Sequence, residues 1–193
     1  MSPFLPFAAL LTFTTTGALA STDLDKRLAR GEIVVQSQPV KGSSIPMFRV
    51  SGVVNAPVDK VWEVVRNCDG YVGVMPRVEK ARTLKRRGRT ATCSTRVDLP
   101  FPLSHLDAVT ENKTLDSPRG TRRMSWKLVK GDYKKNRGNW ELRPFGGADS
   151  GKTLIVYNAL VEPRLAVPKG MVASGQKREL PAVIRGLRRA AKR

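Results

Sequence analysis

The stretch PKGMVASGQKRELPAVIRGLRRAAKR, Pro168 to Arg193, decides how the chain folds. Leu180, Val183, Ile184, Leu187, Ala190 and Ala191 recur at three- and four-residue spacing, which sets them on one side of a helix. Arg178, Arg185, Arg188, Arg189 and Lys192 fall largely off that stripe. Pro181 has no amide donor, so the helix either starts there or bends there. A bend would add Met171, Val172 and Ala173 to the apolar side. A lone helix cannot hide such a stripe. Nearly everything before it reads as β-strand, so its partner is a sheet that curves around it. A sheet wrapped over one long helix leaves a space between the two, and that space is where function is expected.

Moving back from the helix, Pro163 and Pro168 punctuate its approach and Thr153 to Glu162 reads as the last strand. Asn139 to Pro144 holds Trp140 and Leu142, and Gly131 to Gly138 reads as a charged turn. Thr121 to Val129 sets Met124, Trp126 and Leu128 on one face, and Leu103 to Leu115 is another strand. Arg89 to Leu99 alternates, with Ala91, Cys93, Thr95 and Val97 on one side, and Val78 to Lys85 precedes it. Ahead of these, Val58, Val61, Trp62, Val64 and Val65 have helical spacing, and Asn67 to Gly70 stops that helix. Tyr71 to Met75 reads as a second short helix or turn, ending at Pro76. Glu32 to Gln36 and Met47 to Val54 are β-rich, and Asp23 to Gly31 is a charged lead-in. The class is α+β: a curved antiparallel sheet of six to seven strands around a long C-terminal helix, with two short helices after the first strand.

The chain has 193 residues, which suits one domain, and 40% apolar content, which supports a core. Its net charge of +19 predicts attraction to anionic surfaces, either phospholipid head groups or nucleic acid. Residues 1–20 carry no charge, hold the apolar run Phe4 to Leu11, and end in Ala18-Leu19-Ala20. That pattern reads as a signal peptide cleaved before Ser21, although its first residues lack Lys or Arg. The expected organisation is signal peptide 1–20, lead-in and first strand 21–46, and main domain 47–193, in an exported, periplasmic or extracellular protein. Cys68 and Cys93 either pair, constraining the unfolded chain by roughly 3 kcal/mol, or stay as two separate buried thiols, the reading slightly preferred.

Val54-Asn55-Ala56-Pro57, then Val61-Trp62, Asp69-Gly70-Tyr71 and Met75-Pro76, resemble the opening of START-like domains, the helix-grip superfamily also called SRPBCC. Within it the resemblance is to the coenzyme Q-binding and polyketide cyclase/dehydrase branch. Trp126 to Gly131, Gly138-Asn139-Trp140 and Tyr157 look like that branch's later strands. Leu180-Pro181 followed by Ile184, Leu187 and Arg188 looks like its closing helix. The resemblance runs from about Phe48 to Ala191 and implies an apolar cavity between sheet and helix. One fold there serves lipid carriers, cyclases, ribosome-associated toxins and hormone receptors, so function has to be argued from the cavity.

Tyr71, Met75, Phe101, Met124, Trp126, Trp140, Tyr157 and Ile184 are expected around the cavity, since large apolar pockets are lined this way; the alternative is that they simply fill the core. Arg86, Arg87, Lys134, Lys135, Arg185, Arg188 and Arg189 are expected to face an anionic membrane. Nucleic acid is disfavoured, because base stacking needs exposed aromatics among the charges and the turns hold only Tyr133. Gly146 to Thr153 matches a phosphate-loop pattern, but Leu154-Ile155-Val156-Tyr157 continues as a strand, not the required helix. His105 has no nucleophile motif to serve, and Asp69, Asp98, Asp107 and Asp132 read as turn and surface residues. Asn112-Lys113-Thr114 matches a glycosylation acceptor but lies within a strand pattern. The expected occupant is therefore a hydrophobic small molecule or lipid, with no catalytic residue, metal or cofactor. The alternatives are a cyclase or dehydratase using the same cavity, and a nucleic-acid or ribosome binder.

Overall fold

The computed structural model describes residues 16–100, 103–118 and 120–192, the first seven by their backbone. Helix α1 (Thr16–Ala29) leads into β1 (Val34–Gln38) and β2 (Met47–Val54). Helix α2 (Val58–Arg66) and a 3-10 turn (Cys68–Gly70) follow. Then come β3 (Val78–Arg87), β4 (Thr90–Asp98), β5 (His105–Leu115), β6 (Arg122–Gly131), β7 (Tyr133–Pro144) and β8 (Thr153–Pro163). Two helices, α3 (Lys169–Glu179) and α4 (Pro181–Ala190), close the chain. No helix among the described residues is long and apolar enough to cross a membrane.

The strands form one open antiparallel sheet in the order β1-β2-β8-β7-β6-β5-β4-β3. The first strands of the chain thus pair with the last, and α4 lies across them. Val183, Ile184 and Leu187 pack with Val50, Val54, Leu142 and Ile155 of the sheet and with Val61, Trp62 and Val65 of α2. Gly52 permits the close approach: a side chain there would begin 2.7 Å from Ile184 Cγ2. The other face of β2 and β8 is also covered, by Leu24 and Leu28 of α1 against Val34, Val53, Leu154 and Val156. Two covered faces explain why β2 and β8 are apolar at successive positions.

Three expectations change. The sheet has eight strands, one more than the upper expectation, and Gly131 to Gly138 is not a turn: Gly131 and Asp132 alone reverse the chain, so β7 is longer than expected and begins at Tyr133. Gly131 takes φ +134°, and the Asp132 carboxylate accepts from the Asp107 amide at 2.7 Å, pinning the tight connection to β5. The second short helix is the 3-10 turn at Cys68–Gly70, while Tyr71 to Met75 is a turn. The long C-terminal helix is two helices. The α3 ladder ends with the Leu180 amide on the Gln176 carbonyl, and Pro181 has no hydrogen to continue it. Pro181 instead occupies the first turn of α4, where its missing donor costs nothing. No residue of α3 is fully buried and Met171 is 62% exposed, so the apolar side does not extend into α3.

Candidate functional site

A half-open cavity of about 260 Å³ lies between the sheet and the closing helices. Its walls come from every strand except β1, from the Tyr71–Pro76 turn, and from Gln176, Glu179, Leu180 and Val183. The core explains the space. Ile184 and Leu187 fill the gap beside β2, whereas α3 lies further along and buries no residue, so the region beneath it stays open.

One wall is aromatic. Tyr157 on β8 stacks on Trp126 of β6 at 5.3 Å between centroids and 12° between planes, and meets the Trp140 ring at 4.2 Å and 40°. Trp126 and Tyr157 belong to strands separated by β7, and Gly138 lets them touch. It pairs with Trp126 across the ladder, and a side chain there would begin 2.4 Å from the indole. The Trp126 indole N–H donates to the Asn136 side-chain oxygen at 3.0 Å, which fixes the ring.

The floor is polar but uncharged. Thr110 and Asn112 are both buried on the inner face of β5, and the Thr110 hydroxyl donates to the Asn112 carboxamide oxygen at 3.0 Å. Apart from Glu179, the ionisable wall groups among the described residues are phenols. Burial pushes the Tyr71 and Tyr157 pKa values up, and it raises Tyr133 to about 12 with help from Asp132 and Asp107. The Tyr71 hydroxyl donates to the Val65 carbonyl at 2.7 Å. Among the described residues Glu179 is the one lining side chain that carries a charge, and it pairs with Arg77 at 3.2 Å where both are partly exposed. That pair joins α3 to the segment leading into β3, and the Gln176 amide adds a second tie by donating to the Val161 carbonyl at 2.7 Å. Cys68 and Cys93 form a disulfide with Cα atoms 6.0 Å apart, fastening the 3-10 turn to β4, and Cys93 contributes to the wall.

Of the residues expected around the cavity, Tyr71, Met75, Met124, Trp126, Trp140 and Tyr157 line it. Phe101 lies outside the described residues. Ile184 does not line the cavity, because its side chain is fully buried in the core against Gly52, and Val183 and Leu180 face the space instead. The sequence reading missed Phe48, Thr110, Asn112 and Asn136. The signal was present for two of them: Leu106, Ala108, Thr110 and Asn112 alternate as the buried face of β5. Asn112 had been singled out only as a glycosylation match, and its burial closes that use.

The basic residues do not share one surface. Arg86 and Arg87 end β3, opposite Ala91 and Thr90, while Lys134 and Lys135 start β7 at the other end of the sheet. Lys135 is engaged, donating to the Gly42 carbonyl and lying 3.7 Å from Glu162. Arg188 is a structural tie, with its guanidinium bonded to the Val53 and Gly31 carbonyls at 2.9 and 3.0 Å. Arg185 and Arg189 are exposed on α4. The carboxylates serve local structure: Asp69 accepts from the Thr83 amide at 2.7 Å, and Asp107 makes a two-pronged pair with Arg96 at 2.9 and 2.8 Å. His105 sits 3.8 Å from Asp107 at the exposed start of β5. Gly146 to Thr153 joins β7 to β8, and Thr153 begins a strand.

Comparison with solved structures finds the same arrangement. The STAR-related lipid transfer protein of Xanthomonas axonopodis superposes with a TM-score of 0.74 at 20% identity, over 83% of this chain and 94% of that one. Human StAR-related lipid transfer protein 5 gives 0.72 at 18%, over 91% and 93%. The Zhui aromatase/cyclase from Streptomyces sp. R1128 gives 0.61 at 19%, over 84% and 95%. No curated protein matches the chain by sequence. The family model described as polyketide cyclase / dehydrase and lipid transport matches residues 54–188, from the end of β2 into α4. The match takes in α2, strands β3 to β8 and most of the closing helices, and on that span this chain belongs to the polyketide cyclase/dehydrase and lipid transport family.

Proposed function

We propose that this chain binds a hydrophobic small molecule, a lipid or isoprenoid, between its sheet and its closing helices, and carries or presents it outside the cytoplasm. The observation that carries this reading is the make-up of the cavity: an aromatic and aliphatic wall whose only charged member among the described residues, Glu179, is already paired. Apolar burial would drive binding at about 25 cal/mol per Å² removed from water. A cyclase or dehydratase needs an acid or base that titrates near its working pH. The wall phenols hold their protons well above neutrality, which favours holding a molecule over transforming it. Tyr133, the aromatic of the charged β6–β7 region, is buried, which weighs against base stacking.

Export rests on residues 1–20. Cleavage after Ala20 would shorten α1 yet spare Leu24 and Leu28, the α1 residues that pack on the sheet. Native mass spectrometry of the protein purified from its own cells, followed by organic extraction, tests the whole reading. The expected result is a chain that begins at Ser21 and holds one apolar molecule. A protein that arrives empty, and whose tryptophan fluorescence no apolar ring compound changes, would overturn the binding function. Trp126→Ala or Trp140→Ala is expected to weaken binding at least tenfold; unchanged affinity in both would move the ligand out of this cavity.

A further inference from the structure

We infer that the cavity selects a compact, uncharged ring molecule bearing one oxygen substituent, a hydroxyl or a carbonyl, and discriminates against charged amphiphiles and two-chain lipids. The inference rests on the binding function proposed above and names the class of ligand.

Asn112 carries the argument. It is 8% exposed and directly opposite Trp126 in the β5–β6 ladder, which sets its carboxamide beside the indole. Its oxygen already accepts from Thr110. Its two N–H groups have no protein partner among the described residues, and the residue lines the cavity. A ligand that displaces water from these donors and offers no acceptor leaves them unpaired, which is costly, so the site gains most from a ligand oxygen placed there. A ligand hydroxyl has a second option, since the Thr110 oxygen keeps lone pairs to receive a hydrogen.

The remaining walls define the rest of the molecule. Three aromatic side chains in mutual contact present ring surfaces, and these favour a flat ring partner in an offset or edge-on arrangement. A buried charge needs a partner of opposite sign, and the lining offers no cation among the described residues. A carboxylate or phosphate therefore has no counter-charge inside. The volume of about 260 Å³ lies below the roughly 300–1,000 Å³ typical of drug-sized ligand pockets, which leaves no room for two acyl chains.

Isothermal titration of the disulfide-intact full chain with 2-naphthol, naphthalene and 2-naphthoate tests this. The three share a ring system and differ in the oxygen and the charge. The expected order is 2-naphthol first, about tenfold ahead of naphthalene, with 2-naphthoate weakest. In Asn112→Leu the ratio of 2-naphthol to naphthalene affinity is expected to fall to about one, and a ratio that stays at about ten overturns the role of Asn112. Equal affinity of 2-naphthol and naphthalene for the unaltered protein overturns the selectivity and leaves the binding function standing, and that ratio decides even if the variant does not fold. Displacement of 2-naphthol by dioleoylphosphatidylglycerol vesicles overturns the size limit. Failure of all three ring compounds to bind overturns the inference, and in a protein that also arrives empty it removes the binding function as well.

Discussion

Gly186 is buried where α4 meets the Tyr71–Met75 turn, and a side chain there would begin 1.8 Å from the Val74 carbonyl oxygen. The obstacle is backbone, so a methyl group can be admitted only by moving the turn that carries Tyr71 and Met75 to the cavity wall. Gly186→Ala is therefore expected to lower stability by about 1–3 kcal/mol, measured by urea unfolding, and to weaken ligand binding with it. In a free helix the same change would be favourable, so a stabilised variant would refute the contact. Neither this role nor that of Gly138 is legible from neighbours in sequence. A glycine inside a helical or strand pattern announces a weakness in the element; which distant group approaches it depends on how the elements pack. Asn112 differs. Its inward position follows from alternation along β5, and only its pairing with Thr110 and Trp126 had to be seen.

The element most open to change is α3. It buries no residue fully and is held at the mouth by the Gln176 amide and the Arg77–Glu179 pair, whose side chains are 37% and 46% exposed. Exposed pairs contribute little, so these ties place α3 without fastening it. Arg77 is the one non-glycine among the described residues with positive φ, at +57°, and its carbonyl accepts from the Asp98 amide at 2.8 Å. The segment before the Tyr71–Met75 turn is held differently, by the Cys68–Cys93 disulfide and by Asp69 on the Thr83 amide. The loop between the two cysteines spans 25 residues, for which a cross-link is expected to add about 3 kcal/mol to stability. Urea unfolding with and without reductant measures this, and coincident curves would deny the disulfide a stabilising role. Spacing left the cysteines open between a bridge and two separate thiols. Their pairing required the 3-10 turn to dock beside β4, a contact no local pattern states. The limits of β2 were legible to the residue because apolar content, Pro46 before it and Asn55-Ala56-Pro57 after it agree. The β7 start was not, because the charges of Lys134, Lys135 and Arg137 resemble those of a turn while pointing out of a strand.

Taken whole, the molecule carries +19 charges on a surface with two basic ends, one at the β3–β4 hairpin and one at the start of β7. An anionic bilayer would meet cations from either end, each near-surface charge contributing about 1 kcal/mol. Co-sedimentation with phosphatidylglycerol vesicles is expected to be strong at low salt and to fall steeply above about 0.15 M, where screening shortens the reach of exposed charges to about 8 Å. Retention that does not respond to salt would point to insertion of apolar side chains such as Val72 and Met171 instead. Charge and the order of the elements could be read from the chain because each depends on composition or on periodicity between near neighbours, and the helix-grip architecture followed from the resemblance that this order carries. The α4 stripe of Val183, Ile184 and Leu187 specified its own burial. The cavity could not be read this way. Alternation tells which side chains face inward, not whether the space they face is filled, and that depends on where distant segments stop. Here Ile184 filled its share against Gly52, while α3, set off by the missing donor of Pro181, left the region above Asn112 and Trp126 open.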